Sequence, residues 1–211
     1  AIYRNAQKGG GMGLIDWIGR LLGANASGAP AATPAPVQAP VTAGDWLALT
    51  AALGQALVPD DVDGLWDEVQ QALTAPEQYL ARFDDDLASR GIEEASGVTP
   101  WLALVDGLQR RNQNTELDWK LDMGDLVWAL RLLNTVQHNE PLLKALKTLE
   151  KRDTTGHDAL EEAGAFLKQQ GFSLVTLDID SDSYPLSILK SAAVEPITGL
   201  ARRVGQRVIA L

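Results

Sequence analysis

The chain has no cysteine, which removes disulfide frameworks, thiolate metal sites and cysteine nucleophiles at once. It fits a reducing compartment, and a cytoplasmic location is the expectation. Only two histidines are present, His138 and His157, 19 residues apart and without an HExxH pairing, so an imidazole-based metal site lacks ligands. No apolar run approaches the roughly 18 residues that a membrane span needs. There is no GxGxxG and no GxxxxGK[ST], and "GGGMG" at 9–13 has neither a strand before it nor a lysine after it, so nucleotide binding is unsupported. No G-x-S-x-G elbow occurs either. No cofactor is implied.

Basic residues are the other scarcity. Lysine and arginine number 18 against 28 acidic residues, a net charge of −10. Residues 1–43 hold Arg4, Lys8 and Arg20 against Asp16, a net of +2, which leaves 15 basic and 27 acidic residues, a net of −12, in residues 44–211. Such a domain repels phosphate backbones, which argues against nucleic acid as a partner. It suits solubility, and it suits a basic protein partner through complementary potential.

Residues 1–11 precede Met12 and read as a tag or foreign segment. Residues 12–23 form an amphipathic helix candidate, with Leu14, Trp17, Ile18 and Leu21 on its apolar face. Its near-zero net charge favours docking on protein over lipid. A membrane-surface adaptor is the competing reading. Residues 24–44 are rich in alanine and proline, carry no charge before the domain begins, and read as a linker.

The folded domain is expected over 45–211. Asp45 is placed as the cap of a first helix. Pro59 ends it, and "DDVDGLWDEVQQALT" follows as the second. Pro76 and Thr99–Pro100 open two more, and "PEQYLARFDDDLASR" reads as one helix closed by Gly91. "NQNTELDWK" reads as a connection. Three further helical stretches follow, "MGDLVWALRLLNTV", "EPLLKALKTLEKR" and "GHDALEEAGAFLKQQG". From Phe172 the period changes to two. Val175, Leu177 and Ile179 share one face, and Leu174, Thr176, Asp178 and Asp180 the other, expected to be wet. Tyr184, Leu186 and Ile188 alternate in the returning strand, across a turn of Ser and Asp. The expected fold is α+β: a mostly helical domain ending in a β-β-α-β unit with a small sheet containing antiparallel pairs.

Asp178, Asp180 and Asp182 invite a metal reading, in which they build a metal-dependent hydrolase. A calcium loop starting at Asp178 would need glycine at its sixth position and glutamate at its twelfth. Ser183 and Leu189 stand there. A hairpin turn with solvated carboxylates explains the spacing better. Trp119 and Lys120 sit in the "LDWKLD" connection. The tryptophan there is either a core plug or a partner anchor. The contact residues expected on the binding reading are Trp119, Lys120, Asp178, Asp180, Asp182 and Tyr184.

Three segments, "GVTPWLALVDGL" (97–108), "LDWKLD" (117–122) and "LVTLDIDSDSYPLSIL" (174–189), together resemble an uncharacterised bacterial family, a domain of unknown function. The resemblance covers most of 45–211 and brings no activity or cofactor. In size, acidity and build the family is similar to the small cytoplasmic proteins that neutralise bacterial toxins. The resulting expectation is a non-enzymatic, protein-binding module of the immunity-protein kind.

Overall fold

A computed structural model describes residues 39–211. The amphipathic stretch with Leu14, Trp17, Ile18 and Leu21, and the linker up to residue 38, lie outside the described residues.

Helix α1 spans Ala43–Leu53. Its cap is Thr42 and not Asp45. The Asp45 N–H donates to Thr42 Oγ1 at 3.3 Å, and the Thr42 N–H donates to Asp45 Oδ2 at 2.8 Å. This reciprocal box satisfies two donors where a single aspartate cap satisfies one. Helix α2 (Pro59–Thr74) starts on its proline. The single helix expected after Pro76 is two, α3 (Pro76–Arg82) and α4 (Asp84–Ser89). Phe83 leaves helical geometry between them (φ −125°, ψ 33°). Its ring lies 4.7 Å from that of Tyr79 and 4.1 Å beneath the Arg110 guanidinium, contacts that offset the broken ladder. A 3₁₀ turn at Ala95–Gly97 leads to α5 (Pro100–Arg110), capped by Thr99 as its sequence predicts.

Strand β1 (Thr115–Asp118) follows, in the stretch expected to be a plain connection. Then come α6 (Met123–Leu130), capped by Asp122, and the short α7 (Asn134–Gln137) and α8 (Glu140–Leu146). Helix α9 (Gly156–Gln169) precedes β2 (Phe172–Leu177) and β3 (Ser183–Lys190). Helix α10 (Ser191–Arg203) and β4 (Val208–Ala210) complete the chain. The architecture is α+β, with a four-stranded antiparallel sheet in the order β1-β3-β2-β4.

The sheet is covered on both faces. Leu174, Leu186 and Ile188 pack with Leu126, Leu130 and Leu160 from α6 and α9. Val175, Leu177, Leu189 and Val208 pack with Trp46, Leu65, Trp101 and Leu104 from α1, α2 and α5, and with Ile197 from α10. The hairpin therefore has no wet face along its strands: Leu174 and Thr176, expected in water, are 0% and 2% exposed. The period of two was right about which side chains share a face. Burial of each large apolar chain contributes roughly 1.5–3 kcal/mol, enough to draw a helical layer over the second face. Helices α2 and α5 approach closely at Gly107, where a Cβ would collide with Leu65 and lie 2.9 Å from Glu68 Oε2.

Candidate functional site

On the β2–β3 hairpin, solvated carboxylates are confined to the turn that joins the two strands. Asp178 opens it and is buried, with a side chain 3% exposed. Its Oδ2 lies 2.5 Å from Arg207 Nη2, and its Oδ1 accepts from the Asp180 N–H at 3.0 Å. Its backbone N–H donates to the Arg207 carbonyl at 3.1 Å, and its own carbonyl accepts from Trp101 Nε1 at 2.6 Å. Asp178 is thus a fastener of the turn to α5 and to the segment before β4. Asp180 takes a left-handed conformation (φ 61°), which aspartate tolerates better than most residues. Asp180 and Asp182 are exposed. Ser181 and Ser183 hydroxyls lie 2.8 Å apart and stiffen the turn. Tyr184 does not join the solvated group. It is half-buried against the α6–α9 core, and burial pushes its phenol up from the ordinary value.

Strand β1 brings in the second candidate. Asp118 pairs with Ser183 and Leu117 with Tyr184, so the chain leaving β1 runs beside the hairpin tip. Trp119 therefore sits next to the Asp180–Asp182 turn. It is 49% exposed and plugs no core. The Lys120 Nζ lies 5.0 Å from its ring centroid, and the Lys120 N–H donates to Asp118 Oδ1 at 2.8 Å. The contact residues expected from sequence thus divide. Trp119, Lys120, Asp180 and Asp182 gather at one end of the sheet, while Asp178 and Tyr184 lie beneath it. Of the five other exposed large apolar residues, Val41, Leu47, Val58, Trp128 and Leu132, the most exposed is Trp128 on α6 (62%), which the sequence did not single out. The signal was available: Trp128 falls off the stripe formed by Leu126, Val127 and Leu130.

An ion-pair system braces this end from below. Ser183 Oγ donates to Glu116 on β1. Arg90 Nη2 lies 2.6 Å from both Glu116 Oε2 and Asp106 Oδ1. Burial opposes the charged form of Glu116, but hydrogen bonds from Arg90 and Ser183 outweigh it and hold the carboxyl below its ordinary value. For Asp106 burial wins over the pull of Arg90, and its pKa is raised. A second group joins α2 to α5, where Glu68 accepts from Arg110 at 2.6 Å and Arg111 at 3.0 Å. Burial raises the neighbouring Tyr79 phenol to about 12. A polar cleft of about 440 Å³ is lined by Arg90, Asp106, Arg110 and Glu116. A second cleft, of about 420 Å³, is lined by Trp101, Ile179, Asp180 and Arg207 and opens beside the turn.

Among the described residues no three histidine or carboxylate side chains are grouped so as to hold a metal ion. Asp178, needed as one ligand in the hydrolase reading, is engaged by Arg207. His157 pairs with Glu161 at 3.1 Å and His138 faces the Asn134 carbonyl at 3.0 Å. No helix among the described residues is long and apolar enough to cross a membrane.

Residues 45–211 fit the family described as Domain of unknown function (DUF6630), and the chain belongs to that family. No curated protein and no solved structure matches the chain.

Proposed function

We propose that this family member is a non-enzymatic protein-binding module that meets a basic partner at the hairpin end of its sheet. The observation that carries the reading is the pairing of Asp118 with Ser183, which sets a half-exposed Trp119 beside Asp180 and Asp182. An exposed tryptophan and two exposed carboxylates at one end of a sheet supply both parts of a protein contact. The ring is an anchor of the kind that dominates binding energy, and the acids steer and orient a cationic surface. Ser183 at the end of the turn is tied through Glu116 to Arg90, a link that reduces the ordering entropy lost on binding. The specific form suggested by the size, acidity and build of the chain is a cytoplasmic immunity protein, its acidic end covering a basic cleft of a toxin.

The test is binding of a partner captured on the full chain. Trp119→Ala is expected to weaken it by about 2 kcal/mol, roughly thirtyfold. Asp180→Asn with Asp182→Asn is expected to slow association and flatten its dependence on salt. Unchanged affinity in both variants would remove this end of the sheet as the contact.

A further inference from the structure

One ion-pair group beneath the hairpin end does not close. A single guanidinium, Arg90, serves two carboxylates, Asp106 on α5 and Glu116 on β1. The group therefore carries one negative charge in excess. Glu116 is engaged at both oxygens. Its Oε1 accepts from Arg90 Nη1 at 3.2 Å and from Ser183 Oγ, and its Oε2 accepts from Arg90 Nη2 at 2.6 Å. Asp106 is engaged at one. Its Oδ1 accepts from Arg90 Nη2 at 2.6 Å, and its Oδ2 has no donor among the described residues. The neighbouring group does close, with Arg110 and Arg111 against Glu68 and Asp86.

The Asp106 side chain is 8% exposed, yet Oδ2 itself touches solvent. Asp106 lines the polar cleft of about 440 Å³, so that oxygen is reached through the cleft. Buried acceptors are normally paired, and an unpaired one open to a cleft marks a position where a donor is missing. The titration of Asp106 agrees with this. Arg90 and Arg110 pull its value down, but burial, aided by the Glu116 charge, outweighs them and raises it. The cleft wall holds three carboxylates, Asp86, Asp106 and Glu116, against the guanidinium groups of Arg90 and Arg110. Asp86 and Gln109, both exposed, form its rim. The volume falls within the range of about 300–1,000 Å³ for small-molecule sites.

We infer that this cleft binds a single organic cation, an alkylguanidinium, whose N–H groups donate to Asp106 Oδ2. The bound cation makes the Arg90 group neutral, and its alkyl stem leaves past Asp86 and Gln109. A guanidinium suits the position better than an ammonium. It is more weakly hydrated, so it meets a largely buried carboxylate with less loss of solvation. The cation is either a free small molecule or the arginine side chain of another protein. The site uses neither Trp119 nor the turn aspartates and does not rest on the protein-binding reading.

Ethylguanidinium is the probe. Titrated into the full chain at fixed ionic strength, it is expected to give saturable NMR shifts of the Asp106 carboxyl carbon and the Arg90 Nε–H. The expected Kd is on the order of a millimolar for so few atoms. Ethylammonium is expected to bind about tenfold more weakly. Asp106→Asn, which keeps the shape and removes the charge, is expected to weaken binding at least about tenfold. Gln109→Trp, on an exposed rim residue, is expected to abolish binding by filling the cleft while leaving the ion pairs in place. Affinity is expected to fall on acidification from above the ordinary aspartate range, because proton and cation compete for Asp106. The peptide acetyl-Gly-Arg-Gly-amide separates the two sources. Binding about tenfold tighter than ethylguanidinium places the cation on a protein, and equal binding places it on a small molecule; both support the inference. It is overturned if no saturable shift appears by roughly 20 mM, if potassium at the same concentration gives the same shifts, or if Asp106→Asn binds as tightly as the unaltered chain.

Discussion

Asp178 and Asp182 are four positions apart in sequence and opposite in environment. Asp178 is clamped between Arg207 and the Asp180 N–H, and Asp182 stands in solvent. Asp178→Ala is expected to cost about 2 kcal/mol in urea unfolding, because it strips a buried turn of its acceptor and leaves Arg207 unpaired. Asp182→Asn is expected to stay within about 0.5 kcal/mol. Glu116 gives a pH signature. Its folded carboxyl titrates below its ordinary value, so the unfolded chain binds the extra proton first. Its stabilisation is therefore present above the ordinary glutamate range and is lost as pH falls through the lowered folded value. Asp106 runs the other way: its raised value favours the protonated folded form, and acid relieves it. Glu116→Gln is expected to flatten the acid limb of stability, and Asp106→Asn to steepen it, both read by chemical unfolding from neutral pH downward. None of these three environments was legible from residue type. All depend on partners distant in sequence, such as Arg90 for Glu116 and Arg207 for Asp178.

Among the elements, those with local causes were readable and those with distant causes were not. Thr99 before Pro100 caps α5 as expected, because a hydroxyl and a proline act within one turn. The β2–β3 hairpin showed itself by its period. Strand β1 did not: "TELD" is short and polar, and becomes a strand because β3 offers it an edge. The break at Phe83 comes from Arg110, 27 residues on, and from Tyr79. The two-sided burial of the sheet was hidden for the same reason, since alternation reports which residues share a face and not what covers it. Two element-level outcomes follow. Gly107→Ala is expected to destabilise the α2–α5 contact by about 1–3 kcal/mol through overpacking against Leu65, measured as a fall in Tm. Amide exchange is expected to be slowest in β2 and β3, each flanked by strands on both sides, and faster in the edge strand β1.

At the scale of the molecule, an antiparallel sheet between two helical layers presents its two ends rather than a face. One of them carries the acidic turn and Trp119. The acidity of residues 44–211 was readable by counting, but its placement was not. "LDWKLD" and the hairpin turn lie about sixty residues apart in sequence and meet only through the β1–β3 pairing. The central claim is that this meeting point is the contact with a basic protein. The most direct measurement places a photo-crosslinking amino acid at Trp119 and, as a control, at exposed Glu77 on α3. Irradiation of the full chain in its native cell extract, followed by mass spectrometry, is predicted to join position 119 to one basic protein. That adduct should be lost when Asp180 and Asp182 are both changed to asparagine. Equal labelling from 119 and 77, or a specific adduct from 77 alone, would contradict the claim.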